Sequence, residues 1–573
     1  MSESRRKLRQ LQEITSSFTS TCDWENGSMA YVNSGTGSDR SDYGSTTSQP
    51  YKSIKYAVSQ REPCQTIYIM EGLYKNTYFG QSYNHQNTIS SMNGVSDLII
   101  TNYENDQPVI MFDGPGAFVG GSTSSPTTNV AISGFEIIGP NYDIAYEDAA
   151  ANRLTDRSYY KGRGVAIWAG HHIHISDLIV HGCPGSGIRV NKGDYVTITN
   201  CHVYDNTWWS PRAESAIVLA VSEPADEQTG TKMYLTNNIV HDNVNKIPYY
   251  NPNYAWDYSP IGGLDCASYP DCETGLVSGC PWQCRYGKAS QDYIIDGSGV
   301  YVTRNSDTYT NGWMELTGNT CYKNGINGLV VHRTHRCTVR QNTIYDNGVI
   351  PRLDRPEDVI EDWHVGASGK SRQPYSGLTL NNAEDVKLWS NVVAARYDDD
   401  YAFVQEVDSG EAAAVIAGGN NKACRGVVDI NPTNFVQTVE NLSICIPEAP
   451  SSPPSPAPKY VEVFCGDECH LIQWPYDMGP SYMPGSDGDV EQICADLCDE
   501  RDCRAYSTQY DYRKNDGSRW CFFYKETAEP SPVSCASDPF NVGGCTYLTK
   551  EGRFFIRPED RIQYNVLDID PSS

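Results

Sequence analysis

Five short segments of this 573-residue chain start on glycine and then alternate apolar with polar residues: GVAIWAGH from Gly164, GIRVNKGD from Gly187, GVYVTRN from Gly299, GLVVHRTH from Gly328 and GLTLNNAE from Gly377. Successive side chains of an extended strand face opposite ways, so the first and third residues after each glycine point inward and the second and fourth point out. One outward column then reads Trp168, Asn191, Thr303, His332 and Asn381, and the turn position after it reads Ala169, Lys192, Arg304, Arg333 and Asn382. Arg189 and Tyr301 add to the same face. Cations in one register suit an anionic sugar chain, because each can neutralise a carboxylate. His332 is the candidate base, since imidazole titrates at about 6.5, and Lys192 is its rival if neighbouring cations lower its pKa. The expected catalytic set is His332, Lys192 and Arg333. The expected substrate-binding set is Arg189, Asn191, Arg304, Tyr301 and Trp168, with Trp208 and Trp209 as a pair for stacking on sugar rings. His335 and Asp296 flank this stripe.

Columns of this kind require strands stacked in register, and a second repeat supplies them. An eleven-residue pattern recurs as VAISGFEIIGP from Val130, IHISDLIVHGC from Ile173, VTITNCHVYDN from Val196, MYLTNNIVHDN from Met233, MELTGNTCYKN from Met314, CTVRQNTIYDN from Cys337 and VKLWSNVVAAR from Val386. Positions one, three and eight are apolar, which is strand chemistry and not helical periodicity. Ile173 to Val196 and Met314 to Cys337 are each 23 residues apart, the length of one turn of a three-sided strand coil and too short for a helix-containing repeat. The expected fold is therefore all-β, a parallel β-helix solenoid whose coils bury each other's apolar residues. Asn238, Asn319, Asn342 and Asn391 share position six, where stacked amides can bond from coil to coil. Cys321 and Cys337 fall on apolar positions and read as buried thiols.

Composition sets the boundaries. The segment EAPSSPPSPAP, residues 448–458, is a Pro/Ser linker that favours an extended spacer. It divides the chain into a flexible tail over 1–21, the β-helix over 22–447 with an insertion at 246–293, and a cysteine-rich domain over 459–573. Twelve cysteines precede the linker and eight follow it, as expected if disulfides close within each domain. Twenty cysteines, with sequons at Asn26 and Asn441, point to an oxidising, secreted setting. The basic start contains no apolar signal-peptide core, and no apolar run is long enough to span a membrane. A formal charge of −27 disfavours nucleic acid and requires a local basic site for any acidic polysaccharide.

The segment YVNSGTGSDRSDYGSTTSQPYKSIKYAVSQREPCQTIYIMEGLYKN from Tyr31 resembles the opening of pectin-lyase-like proteins. With the coils to about residue 446, the resemblance covers roughly three-quarters of the chain. It implies a right-handed helix whose first coil is capped by an amphipathic helix starting near Pro50. It also implies polysaccharide lyase or epimerase chemistry, in which a base removes the proton beside a uronate carboxylate that a cation neutralises. The GHG and RIK pieces of polygalacturonases and the WIDH piece of common pectate lyases are missing. The aligned outward columns also hold no carboxylate pair for an inverting hydrolase. Calcium assists such lyases, and Asp398, Asp399 and Asp400 are the candidate ligands. Beyond the linker, VEQICADLCDERDCRAYSTQYDYRKNDGSRWCFFYKE looks like a PAN/Apple module carrying Cys494, Cys498, Cys503 and Cys521 as disulfide cysteines. That likeness implies an adhesive role toward glycans or proteins. The alternative function is a glycan-binding wall or matrix protein in which the same cations bind without catalysis.

Overall fold

A computed structural model describes most of residues 15–439 and seven strands between Val461 and Ile556; 153–161, 251–293, 353–374, 407–414 and several shorter stretches lie outside the description. The chain forms two compact units, Met1–Pro447 and Glu448–Ser573.

The first unit is built from coils. One coil runs Ile188–Asn191, then Gly193–Thr199, then His202–Tyr204. Repetition stacks these strands into a nine-stranded front sheet, an eleven-stranded sheet of long strands and an eleven-stranded sheet of short strands. All pairings within them are parallel, with Ile173 opposite Val196 and Met314 opposite Cys337. The 23-residue spacing is thus one turn. Corners are tight because single residues take left-handed backbone: Lys192 at φ 47° joins front to long strand, and Asn200 at φ 54° follows the long strand.

Ile188, Val190, Val196, Ile198, Cys201 and Val203 of this coil are all buried in one continuous core. Alternation thus places every second residue inside, and hydrophobic burial drives stacking because no coil can cover its own apolar face. Cys183, Cys201, Cys321 and Cys337 are free buried thiols. Cys22 and Cys64 form a disulfide, and Cys424 is also disulfide-bonded. The four cysteines of the insertion lie outside the described residues.

The asparagine column at position six forms a buried ladder: Asn238, Asn319 and Asn342 each donate Nδ2 to the next Oδ1 at 2.9, 3.0 and 2.9 Å, and Asn391 continues to Asn421 at 2.9 Å. A second ladder, at position eleven, links Asn206, Asn243, Asn324 and Asn347 at 3.0, 2.9 and 2.8 Å. Glycine before the front strands makes room for it. A Cβ on Gly328 would sit 2.3 Å from Ile344 Cγ2 and 2.7 Å from Asn347 Nδ2.

Three details differ from the expectations. The helix starts at Ile54, not near Pro50, because Asp39 Oδ1 accepts the backbone N–H groups of Lys52 and Ser53, each at 2.9 Å, and holds that stretch extended. Ser53 then caps Ile54–Ser59, whose Ile54, Ala57 and Val58 join the core. The tail is docked by its end: Phe18 packs edge-on against Trp24 over Ile99 and Ala131, and Thr19 N–H donates to Asn129 Oδ1 at 3.0 Å. Finally, Ile217–Ala220 is a front strand between Ile188–Asn191 and Val300–Thr303. Alanine 216 stands where its neighbours have glycine, which hides it from a glycine-anchored alignment.

The second unit holds a five-stranded antiparallel sheet in the order Val461–Val463, Arg553–Ile556, Ala505–Tyr510, Arg519–Tyr524, Ser481–Met483, plus the pair Leu471–Gln473 and Ser531–Val533. Cys494, Cys498 and Cys503, like the 448–458 linker, lie outside the described residues; Cys521 is in a strand whose side chains are not described. Among the described residues no helix is long and apolar enough to cross a membrane.

Candidate functional site

The front sheet fixes the register of the outward residues. Its fourth outward position runs Asn191, Ala220, Thr303, His332, Asn381 and Glu406 on successive coils, and its second runs Arg189, Val218, Tyr301, Val330 and Thr379. Strand Ile217–Ala220 therefore interrupts the stripe. Val221 occupies the turn between Lys192 and Arg304, so among the described corner residues only Arg304 and Arg333 are cations on adjacent coils. Lys192, Val221, Arg304, Arg333 and Asn382 all adopt left-handed φ between 45° and 56°.

Around His332 four groups converge. Its Nδ1 shares a 2.7 Å hydrogen bond with Thr303 Oγ1 on the preceding coil. Nε2 has no hydrogen-bond partner among the described residues. The Tyr301 ring meets the imidazole edge-on, with centroids 5.9 Å apart and planes at 65°. Arg304 and Arg333 are exposed in the flanking turns, and Arg304 N–H donates to the His332 carbonyl at 3.0 Å. Burial, then the charges of Arg333 and Arg304, lower His332 to about 4. The ring is therefore neutral at physiological pH, with a lone pair on Nε2 when Nδ1 donates to Thr303.

A second cluster surrounds Glu214, just ahead of the Ile217 strand. Its carboxylate is buried and accepts from Arg163, from Arg189 Nη1 at 3.0 Å and from Ser186 Oγ at 2.5 Å. Arg189 Nε also donates to Asn191 Oδ1 at 2.9 Å. Trp168 lies beneath both guanidiniums, 5.0 Å from Arg163 and 5.8 Å from Arg189. Arg189 is thus held by Glu214 instead of standing free for a substrate carboxylate. Burial alone would raise Glu214, but the two arginines and Ser186 overcome it and hold the carboxyl at about 2.

This depression makes a stability prediction. A carboxyl whose folded pKa lies below its unfolded value of about 4.3 stabilises the fold above that value and loses the contribution as pH falls toward 2. The contribution is about 3 kcal/mol. Denaturant titrations of the wild type are expected to weaken between pH 5 and 2, more steeply than those of E214Q. At neutral pH E214Q should be less stable by roughly 3–5 kcal/mol, because both guanidiniums lose a buried partner.

Asp296 adjoins this cluster. Its Oδ1 accepts from Ser215 Oγ at 2.5 Å and from the N–H groups of Gly297 and Ser298 at 2.9 and 3.3 Å, and no donor among the described residues reaches Oδ2. Burial raises its pKa, and Glu214 adds to the rise. The carboxylates missing from the sequence columns are therefore present: Glu214 and Asp296 precede the strands, and Glu406, which accepts from Asn381 Nδ2, extends the column. Glu214 is saturated by its partners, so it does not form an acid/base pair with Asp296.

Other expected residues lie apart from this focus. Lys192 Nζ pairs with Glu223 at 2.8 Å. Trp208 and Trp209 pack with Ile144, Tyr146 and Ile247, Trp208 takes the Lys246 ammonium 3.1 Å from its ring, and Trp209 Nε1 donates to the Asn141 carbonyl at 3.0 Å. His335 Nε2 is 3.5 Å from Glu384. Asp400 is buried and pairs with Arg352 at 2.7 Å, and the described residues hold no cluster of three metal-ligating side chains that would join Asp398, Asp399 and Asp400.

Residues 87–255 match the family described as right handed beta helix region. Among solved structures, a pectate lyase aligns at 14% identity and TM-score 0.35, covering 72% of this chain and 79% of its own. The A-module of an Azotobacter vinelandii mannuronan C-5 epimerase aligns at 14% and 0.34, covering 66% and 81%. A rhamnogalacturonan lyase aligns at 11% and 0.31, covering 70% and 87%. No curated protein matches the sequence. The first unit is a right-handed parallel β-helix.

Proposed function

We propose that the front face of this β-helix is the substrate face of a secreted polysaccharide lyase, which cleaves a uronate-containing glycan by β-elimination. The observation that carries the reading is His332, held through Nδ1 by Thr303 with Nε2 open, beside the corner cations Arg304 and Arg333. The two arginines receive the uronate carboxylate and stabilise the charge that develops when the adjacent C–H proton leaves. His332 Nε2 takes that proton. Its lowered pKa is in part a consequence of the cation pair: a bound carboxylate offsets Arg333 and Arg304, so imidazole becomes a stronger base once substrate is seated. Lys192, engaged by Glu223, binds chain further along the stripe.

The cysteine load supports an extracellular setting, and the antiparallel second unit is read as the PAN/Apple-like module that keeps the enzyme on glycan or protein. Calcium is the cofactor this reading allows. The test is the ultraviolet absorbance of unsaturated uronate during incubation with pectic, alginate and glycosaminoglycan chains, with calcium and with chelator. A rise on one chain establishes the lyase and names its glycan. Silence across the panel with retained chain binding overturns it in favour of a non-catalytic glycan-binding rod.

A further inference from the structure

We infer that Tyr301 is the acid that partners His332, and that the pair performs syn elimination on uronates whose C5–H and C4–O bonds lie on the same face of the ring. This rests on the elimination reading above.

Three observations carry it. Tyr301 and His332 come from adjacent front strands, with Tyr301 opposite Val330 and Thr303 opposite His332, and both point out of the same face. Their rings are in edge contact, with centroids 5.9 Å apart. A pyranose cannot fit between two rings in contact, so the two groups cannot flank opposite faces of a sugar, as anti elimination requires. They can only address one face together. Finally, the Tyr301 hydroxyl has no hydrogen-bond partner among the described residues, although most half-buried phenols find one. Burial, with the nearby Asp296 carboxylate, keeps that phenol protonated well above its ordinary range. It enters the reaction carrying its proton.

The step balances without a further reagent. His332 Nε2 accepts the C5 proton, and the electron pair of that C–H bond forms the C4–C5 double bond. The C4–O bond breaks, and the departing oxygen takes the Tyr301 proton. Imidazolium then returns its proton to the phenolate, which restores both groups.

The substrate class follows from stereochemistry. C5–H and C4–O are cis in gluco- and manno-configured uronates and trans in galacturonate and guluronate. The experiment offers the wild type glucuronan, polymannuronate, polygalacturonate and polyguluronate, and offers Tyr301→Phe the same chains plus a 4-O-nitrophenyl uronate glycoside. Product from glucuronan or polymannuronate alone is expected. Y301F should lose roughly 100-fold or more on that polymer yet stay within about tenfold of wild type on the nitrophenyl substrate, whose leaving group needs no acid. An equal loss on both substrates, or an unaffected Y301F, removes the acid role. Product only from a trans polymer overturns the syn assignment while sparing the lyase, and no product from any chain overturns both. An unchanged thermal midpoint separates these effects from misfolding.

Discussion

His332→Ala is expected to lower turnover by about 10²–10⁴-fold while chain binding, measured by calorimetry, changes little. The imidazole offers a lone pair on Nε2 when Nδ1 donates to Thr303. Its removal takes away the base and leaves both arginines in place. The wild-type pH profile carries a second signature. A base lowered to about 4 is deprotonated above that value, so kcat/KM holds through neutral pH and falls as pH drops through about 4. The acid limb of kcat should lie higher, because bound carboxylate offsets the cations that depress the free ring. Coincident limbs would remove the proposed coupling. Arg333→Asn gives the complementary result: asparagine accepts left-handed backbone readily, so the fold should be as stable as before while KM rises. A collapse of stability there would mean that Arg333 is a structural residue.

Asn319→Leu is expected to destabilise the first unit by roughly 3–6 kcal/mol while leaving the front face untouched. Asn319 Oδ1 accepts both the backbone N–H and Nδ2 of Asn238, at 3.1 and 2.9 Å, while its Nδ2 reaches the Leu235 carbonyl at 2.9 Å and Asn342 Oδ1 at 3.0 Å. Leucine is close in size, so it removes these bonds without opening much space and strands buried donors on the preceding coil. Asn319→Asp keeps the acceptor and should lose less at acidic pH, where its carboxyl is protonated. Denaturant midpoints across pH read both variants. A leucine variant within 1 kcal/mol of wild type would show that the ladder is dispensable.

Legibility in the sequence follows how strictly geometry constrains each position. Inward residues of a coil repeat every turn, so the spacing of Val196, Ile198 and their counterparts is enough to specify the solenoid. Position six is equally plain, because only asparagine can accept from one coil and donate to the next while bonding a backbone carbonyl. Position eleven, with Asn206, Asn243, Asn324 and Asn347, is just as periodic, yet its ladder emerges only from the hydrogen bonds. Glycine is a poorer anchor for the front face, because it conceals one coil. Ala216 replaces glycine there, and with it go the Ile217 strand, the gap at Val221 and the carboxylate of Glu214. Asp296 shows in the sequence only as a neighbour of the stripe, since its link to Ser215 crosses 81 residues. Pairings such as Arg189 with Glu214 and Lys192 with Glu223 depend on side chains reaching between coils of unequal length, which no repeat alignment encodes.

The left-handed corner residues also set the phase of anything lying along them. Coils advance by about 4.8 Å, close to the length of one sugar unit, so a polyuronate presents roughly one negative charge to each corner. An uninterrupted row of cations would let such a polymer slide by one unit with almost no change in energy. Lys192, Val221, Arg304, Arg333 and Asn382 instead spell a row with a missing charge inside it. On the proposed reading a uniform polyuronate would still look the same after each one-unit slip, but a chain with a neutral sugar among its uronates would rest best with that sugar at the valine corner, which would then act as an index mark.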